Sequence, residues 1–213
     1  MEIGRLAEND FLSPIIHSSY NSIIRKSQSI TYKLEAILTV CVDIKGTINE
    51  HDNIYIAGEI GDFFEKMYSC MEYTASILKE LFRDKGTLQA SYHDILKRVI
   101  KNEDSTKFLS DRALVNFVEG TLSWYAIVHD TRSEEAHFTM GEMTIIGEKL
   151  FYKIPRITGR ETVYDLVRSK NGENTEREVE YKINIENFKT IYLGYVNSVK
   201  ELEILIDRKL KEK

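Results

Sequence analysis

The sequence predicts a mainly all-α protein, a bundle of four or five helices with a small β-hairpin or meander inserted before the C-terminal helix. Two observations lead to this prediction. Apolar residues recur every three or four positions through much of residues 14–130 and again over residues 186–211, which is the spacing of one helix face. Over about 141–185 they alternate instead, as along strands. We therefore predict a single domain over residues 1–213 with a β insertion.

Four helical segments precede the insertion. Ser13 and Pro14 form a good helix start, a capping residue followed by proline at the first helical position. They lead into one long helix or two helices in tandem. Amphipathic stretches at residues 58–83, 90–101 and 109–130 predict the remaining helices.

The insertion contains three runs with strand character. Two β-rich runs flank Gly147 and Glu148, and a third run of alternating residues follows the turn signal Asn171-Gly172. The intervening segment "RETVYDLVRSK", residues 160–170, fits either a strand or a short helix. These patterns predict a hairpin or meander.

Composition restricts the classes of function. A net charge of −5 and a pI of about 5.7 exclude a broadly cationic surface, so a polyanion would have to bind a local patch. Cys41 and Cys70 lie in apolar helical sequence without metal-ligand spacing, so we expect reduced thiols, no metal site and no cofactor. The acidic start "MEIGRLAENDF" lacks the apolar run of a secretory signal, and no window is long enough to span a bilayer. We therefore expect a cytoplasmic protein without a membrane partner.

The segment "HDTRSEEAHF", residues 129–138, contains Arg132 and His137 separated by four residues. Chance alone predicts about one such pair in a chain with this number of arginines and histidines, so any weight comes from context. Thr131 followed three residues later by Glu134 fits a capping box. This predicts that Arg132 occupies the first turn of a new helix, where free amides and the helix dipole favour an anion.

On a regular helix, five steps place Arg132 and His137 about 140° apart, on different faces. One way for both to act on one substrate is a two-fold axis between two chains. In a symmetric homodimer, the two Arg132 and two His137 side chains could line a shared cleft.

The order of these segments resembles the HEPN superfamily. The residues that carry the resemblance are a helix rich in small and aromatic side chains ("EKMYSCMEYTASILKELF"), a short helix with a histidine ("SYHDILKRVI") and the Arg-x4-His segment "DTRSEEAHF". The insertion before a long terminal helix is similar to a clostridial HEPN subgroup of uncharacterised proteins. The resemblance covers about residues 55–140. It implies a dimeric bundle, in many members a metal-independent endoribonuclease of toxin–antitoxin, phage-defence or stress systems.

The resemblance assigns Arg132 to the scissile phosphate and His137 to proton transfer with the ribose 2′-hydroxyl. Ser133 follows the arginine at a supporting position that is often Asn, Asp or His in active members. Asp130 either caps the helix or orients Arg132. RNA or a nucleotide is the implied ligand, and an antitoxin protein is a further partner. This chemistry needs no metal, because the 2′-hydroxyl is the nucleophile and a cyclic phosphate is the product.

A basic patch near this site comprises Lys97, Arg98 and Lys101 in "LKRVIK". We predict that it binds RNA phosphates, unless these residues form only a solvated helix face. The Arg-x4-His pair could also be purely structural. In that case Arg132 would form an ion pair with Asp130 or Glu135, and His137 would be a core or interface residue.

Two further functions are compatible with the sequence. One is a catalytically inactive HEPN module that binds a nucleotide or a partner protein through the same cleft. The other is a helical bundle unrelated to RNA. The remaining histidines, His17, His51, His93 and His129, show no paired metal-ligand spacing, so we expect each at the surface or at its boundary.

Overall fold

The computed structural model describes residues 12–44, 46–85, 91–101, 109–137, 140–156, 162–172 and 180–212. Within these residues the chain forms six α-helices, a short 3-10 helix at Arg83–Lys85 and three strands. The helices are α1 (Pro14–Asp43), α2 (Glu50–Leu81), α3 (Tyr92–Lys101), α4 (Arg112–His137), α5 (Val163–Lys170) and α6 (Asn187–Lys211). The strands are β1 (Glu142–Ile146), β2 (Lys149–Pro155) and β3 (Glu180–Asn184). The mainly all-α prediction is confirmed: five of these helices, α1 to α4 and α6, lie outside the insertion, and α5 lies within it.

The first two helices are longer than the sequence pattern suggested. α1 is one continuous helix, capped by the Ser13 hydroxyl, and not two in tandem. α2 begins at Glu50, well before the predicted start, because the Asn49 side chain accepts a hydrogen bond from the Asp52 amide at 2.8 Å. Acidic residues in its first turn further stabilise that end.

The predicted capping box at Thr131 and Glu134 is wrong. α4 runs without interruption to His137, and its start is capped by Asp111, whose carboxylate accepts from the amides of Ala113 and Leu114. Thr131 and Glu134 lie inside α4 and are only 1% and 2% exposed. The buried positions of α4 continue at helical spacing through this stretch, so tertiary burial, and not the local motif, decides the structure here.

One apolar core joins the long helices. α1 packs most extensively on α2, while α4 packs on both α2 and α6. Phe63 and Phe64 of α2 meet Phe188 at the start of α6, with ring centroids 5.4 to 5.7 Å apart. These contacts, together with the packing of α4 on both helices, hold α2, α4 and α6 in one core, and the predicted closing helix is confirmed by α6.

The insertion is a three-stranded antiparallel sheet in the order β1-β2-β3. Met143, Tyr152 and Ile183 lie opposite one another across it, and all three side chains are buried. Gly147 turns the first hairpin with a φ of 65°, a conformation that glycine adopts without strain. The meander alternative of the prediction is therefore correct for these strands.

The ambiguous segment before β3 forms a helix, α5. The Thr162 hydroxyl accepts from the Asp165 amide, and the Asp165 carboxylate accepts from the Thr162 amide, which makes a complete capping box.

Side-chain hydrogen bonds attach the sheet to the long helices. The Met143 amide donates to the Asn53 side-chain oxygen of α2 at 2.7 Å, and the Tyr152 hydroxyl donates to Glu135 of α4. The insertion thus packs against the end of α4 that carries the predicted site. Among the described helices, none combines the length and the apolar character needed to cross a membrane.

Candidate functional site

Arg132 lies in the last part of α4, facing α2. Its Nε donates to the Glu65 carboxylate at 2.8 Å, and its guanidinium carbon lies 4.6 Å from the centre of the Tyr68 ring. The hydrogen bond with Glu65 raises the pKa of Arg132 despite partial burial, so this group is a permanent cation. An ion pair of Arg132 was one of the sequence-based expectations, and it is correct in kind, although the partner is neither Asp130 nor Glu135.

The position of Arg132 removes one argument for anion binding. A helix N-terminus offers free amides and the positive end of the dipole, but Arg132 lies five residues before the end of α4. The dipole there is negative and disfavours an anion. Only the side-chain charge of Arg132 and its neighbours can therefore attract a phosphate.

His137 is the last residue of α4, and its side chain lies outside the described part of the structure. Because α4 is a continuous helix through both residues, the backbone positions of Arg132 and His137 lie about 140° apart around its axis. The backbone therefore does not bring these two residues to one face of one chain.

Asp130 has a different role from the predicted cap of α4. It is 2% exposed, and its carboxylate accepts from His129 Nδ1 at 2.9 Å, from the Val163 amide at 3.2 Å and from the Tyr181 hydroxyl at 3.5 Å. Val163 is the first residue of α5, so Asp130 satisfies an amide at the start of that helix. Ser133, the other supporting residue, is half-buried on α4.

The members of the predicted basic patch on α3 differ in exposure. Lys97 and Lys101 are four residues apart and share a face, and Arg98 lies about 100° from Lys97 and about 60° from Lys101 around the helix. Arg98 is half-buried, and its Nη1 is buried without a hydrogen-bond partner in the described residues. Lys97 is close enough to His93 to affect its titration. Lys97 is thus the member of the patch that adjoins the buried rings at the junction of α2, α3 and α4.

Sequence reasoning missed a cluster of histidine and tyrosine side chains beside Arg132. We call Tyr68 of α2, His93 of α3, and Tyr125 and His129 of α4 the histidine–tyrosine cluster. The rings of His93 and His129 stack with centroids 4.1 Å apart and planes 6° apart. Tyr68 lies 5.9 Å from His129 and 6.5 Å from Tyr125. The helical spacing of Tyr125, His129 and Arg132 was a signal that could have revealed one side of this cluster.

Burial dominates the electrostatics of the cluster. It lowers the pKa of His93 to about 4, and the nearby His129 and Lys97 add to the effect. Burial also raises the pKa of Tyr125, whose hydroxyl has no hydrogen-bond partner in the described residues. The carboxyl of Glu72, which accepts from the Tyr92 amide at 3.3 Å, has its pKa raised by burial. The surroundings therefore favour neutral groups and strengthen any charge interaction formed there.

Glu135 extends the site towards the sheet. Burial raises its pKa to about 7, the hydrogen bond from Tyr152 acts in the opposite direction, and the charge of Glu65 raises it further. Glu65 thus lies near both Arg132 and Glu135. A carboxyl group that titrates near neutrality is suited to proton exchange, and it is a candidate that the motif did not identify.

A sizeable groove lies elsewhere on the molecule. It has a volume of about 470 Å³ and lies between α4 and α6, lined by apolar residues such as Phe117, Trp124 and Ile204, and it contains none of the predicted site residues. No group of three or more metal-ligating side chains occurs within the ranges that the structure describes. The chemistry-bearing side chains collect instead where α2, α3 and α4 meet.

Comparison with known proteins adds no family assignment, since no protein-family model, curated protein or solved structure matches the chain.

Proposed function

We propose that the chain is a HEPN-type, metal-independent endoribonuclease that cleaves RNA through the ribose 2′-hydroxyl. The observation that best supports this proposal is the setting of Arg132. Its guanidinium is held against the Tyr68 ring, its side chain is 31% exposed, and an imidazole lies beside the same ring. A fixed cation next to an imidazole is the minimum set of groups for this reaction.

The chemistry demands little beyond these groups. A guanidinium stabilises the charge that develops on the phosphorus oxygens, and its planar fork fits two of them at once. A positioned acid or base contributes roughly 10²- to 10⁴-fold to the rate. In the resemblance His137 supplies this group, with Asp130 and Ser133 in support and Lys97, Arg98 and Lys101 contacting neighbouring phosphates.

The ion pair of Arg132 is compatible with phosphate binding. The Glu65 side chain is 51% exposed, and an exposed ion pair contributes only about 0 to 1 kcal/mol. Breaking this ion pair therefore costs little free energy when an RNA phosphate replaces the Glu65 carboxylate beside Arg132.

A homodimer would allow Arg132 of one chain and His137 of another to act together, although the two positions lie about 140° apart around α4 in each chain. This proposal has a direct test. If His137 of one chain transfers the proton at a site with Arg132 of the other chain, Arg132→Ala and His137→Ala should each abolish cleavage. Mixing the two should then restore about a quarter of wild-type activity, since half the dimers carry one intact site. Light scattering would give the mass of the assembly.

The main experiment uses purified wild-type protein with bulk tRNA in excess EDTA. We expect fragments that end in a 2′,3′-cyclic phosphate, and their loss in Arg132→Ala. Arg83→Ala is the matched control, because the Arg83 side chain is 81% exposed and lies in a surface ion pair at the end of α2. Absence of cleavage by wild-type protein across tRNA and other RNAs would refute the nuclease proposal.

A second candidate is a catalytically inactive HEPN module that binds a nucleotide, RNA or a protein such as an antitoxin. The Arg132–Glu65 ion pair favours this candidate, because the Glu65 carboxylate already binds the Arg132 guanidinium in the free protein. Tight binding of labelled RNA by wild-type protein, weakened in Arg132→Ala and without any cleavage, would support this candidate over the nuclease.

A further inference from the structure

We infer that His129 is the catalytic residue that takes the proton from the RNA 2′-hydroxyl, and that it does so on the same chain as Arg132. The inference rests on the proposed nuclease function and changes the assignment of its proton acceptor. Four features of the structure carry it.

The first feature is a shared platform. The Arg132 guanidinium lies 4.6 Å and the His129 ring 5.9 Å from the centre of the Tyr68 ring. Three residues on a helix return to within about 60° of the same direction, whereas the five residues from Arg132 to His137 do not. Imidazole and guanidinium therefore meet one substrate from one face of α4.

The second feature is the tautomer of His129. An ionised carboxylate can only accept hydrogen bonds, and Asp130 accepts from His129 Nδ1, from a backbone amide and from a tyrosine hydroxyl. The proton of neutral His129 is therefore on Nδ1, which leaves Nε2 with its lone pair available as a base. Asp130 acts here as a positioning residue.

The third feature is the stacking of His93 on His129. The two rings are parallel at 4.1 Å, so His93 covers one face of the His129 ring and fixes its plane. His93 stays neutral because burial lowers its pKa to about 4, and it therefore does not repel a proton arriving on His129.

The fourth feature is access. The His129 side chain is 18% exposed, so part of the ring can reach a bound molecule. The adjacent Tyr68 is half-buried, so part of its side chain is exposed beside His129.

The reaction follows from these positions. Nε2 of His129 takes the 2′-hydroxyl proton while the 2′ oxygen forms a bond to phosphorus and the bond from phosphorus to the 5′ oxygen breaks. The leaving 5′ oxygen takes a proton from water, and the resulting hydroxide removes the proton from His129. The products are a 2′,3′-cyclic phosphate and a 5′-hydroxyl, and no oxidant or reductant is needed. Arg132 neutralises the charge on the phosphate oxygens throughout.

The test compares histidine variants on bulk tRNA in EDTA. His129→Ala is expected to lower kcat by roughly 100-fold or more with little change in KM. His129→Gln retains a side-chain N–H that can donate to Asp130, yet it should be equally inactive because an amide is not a base. His51→Ala is the control, since the His51 side chain is 90% exposed and lies in the first turn of α2.

Two further measurements exclude a purely structural role. Free imidazole should restore cleavage to His129→Ala, because it can enter the space left by the ring. Mixing Arg132→Ala with His129→Ala should restore nothing, since one chain must supply both groups. Circular dichroism would verify that each variant is folded.

The outcomes separate the two proposals. If wild-type protein cleaves no RNA, the proposed function fails and the inference fails with it. If wild-type protein cleaves and His129→Gln retains its activity, or if His129→Ala and Arg132→Ala complement each other, the inference alone is overturned. Loss of activity in both His129 variants with rescue by imidazole would establish His129 as the base.

Discussion

The hydroxyl of Tyr152 donates a hydrogen bond to the carboxyl group of Glu135, and the same hydroxyl accepts one from the Gly141 amide at 3.0 Å. This relationship joins the central strand of the sheet to the end of α4. Burial raises the pKa of Glu135 to about 7, so the folded protein holds a proton there that the unfolded chain releases. The stability of the fold should therefore depend on pH through this carboxyl group.

Replacement of Glu135 by Gln should remove part of the pH dependence of stability. Between about pH 4.5 and 7 the folded state binds more protons at this group than the unfolded state, so its contribution falls as pH rises through that window. The effect is at most about 3 kcal/mol. Urea unfolding at several pH values across the window should show that the free energy of unfolding falls more steeply with pH in wild type than in Glu135→Gln. Glu148→Gln, in the exposed hairpin turn, is the control, and an equal change in both variants would contradict the prediction.

Replacement of His93 by Phe should remove a pH dependence of stability that has the opposite sign. Burial lowers the pKa of His93 from 6.5 to about 4, so the unfolded state binds more protons between these values and stability rises with pH there. The groups facing this ring are Lys97, Asp94, His129 and Asp130. His93→Phe keeps a flat ring for stacking and should be more stable than wild type near about pH 5, by up to roughly 2 kcal/mol. Equal stability at low pH would contradict this, with His51→Phe as the exposed control.

Replacement of Glu65 by Gln should free Arg132. Loss of an exposed ion pair should change the free energy of unfolding by less than about 1 kcal/mol. RNA binding should become roughly fivefold tighter, because the phosphate no longer competes with the carboxylate. Fluorescence anisotropy with labelled RNA at two salt concentrations would measure this. Glu148→Gln should leave the affinity unchanged, and unchanged affinity in Glu65→Gln would argue that Arg132 does not contact phosphate.

The two glycines along the groove between α4 and α6 should respond differently to alanine. A Cβ on Gly194 would lie 2.6 Å from Cδ1 of Trp124, whereas a Cβ on Gly120 would meet nothing within 4 Å. Gly194→Ala should therefore cost about 1 to 3 kcal/mol through overpacking. Gly120→Ala should gain about 0.5 to 1 kcal/mol through helix propensity. Denaturant unfolding would compare them, with the single tryptophan as probe. Equal stabilities would contradict the tight contact at Trp124.

Secondary structure could be predicted from the sequence where apolar residues repeat at a regular spacing. The apolar spacing of α1 and α6 predicted helices, and alternation predicted the strands of the insertion, because one buried face imposes one repeat. The capping box failed since Thr131 and Glu134 carry a helix-start pattern yet are buried in a continuing helix. A local motif has no information about the helices that pack over it.

The site was less predictable for the same reason. Glu65 is 67 positions from Arg132 in the chain, and His93 comes from another helix than His129, so no spacing indicates either contact. Arg132 was proposed from the motif. The histidines were expected at the surface or at its boundary, and both are half-buried, but their stacking on each other was not predicted. Only the packing of α2, α3 and α4 brings these side chains together.

The carboxylate of Asp130 links the position of the insertion to the state of the histidine. Because it accepts from the first amide of α5 and from Tyr181 of β3, displacement of either element would remove a hydrogen bond from this buried carboxylate and alter its hydrogen bond to His129. Because such coupling is reciprocal, a change in the charge of His129 also changes how strongly α5 and the sheet are held against α4. A partner that bound only the sheet or α5 would therefore regulate the cluster without contacting it.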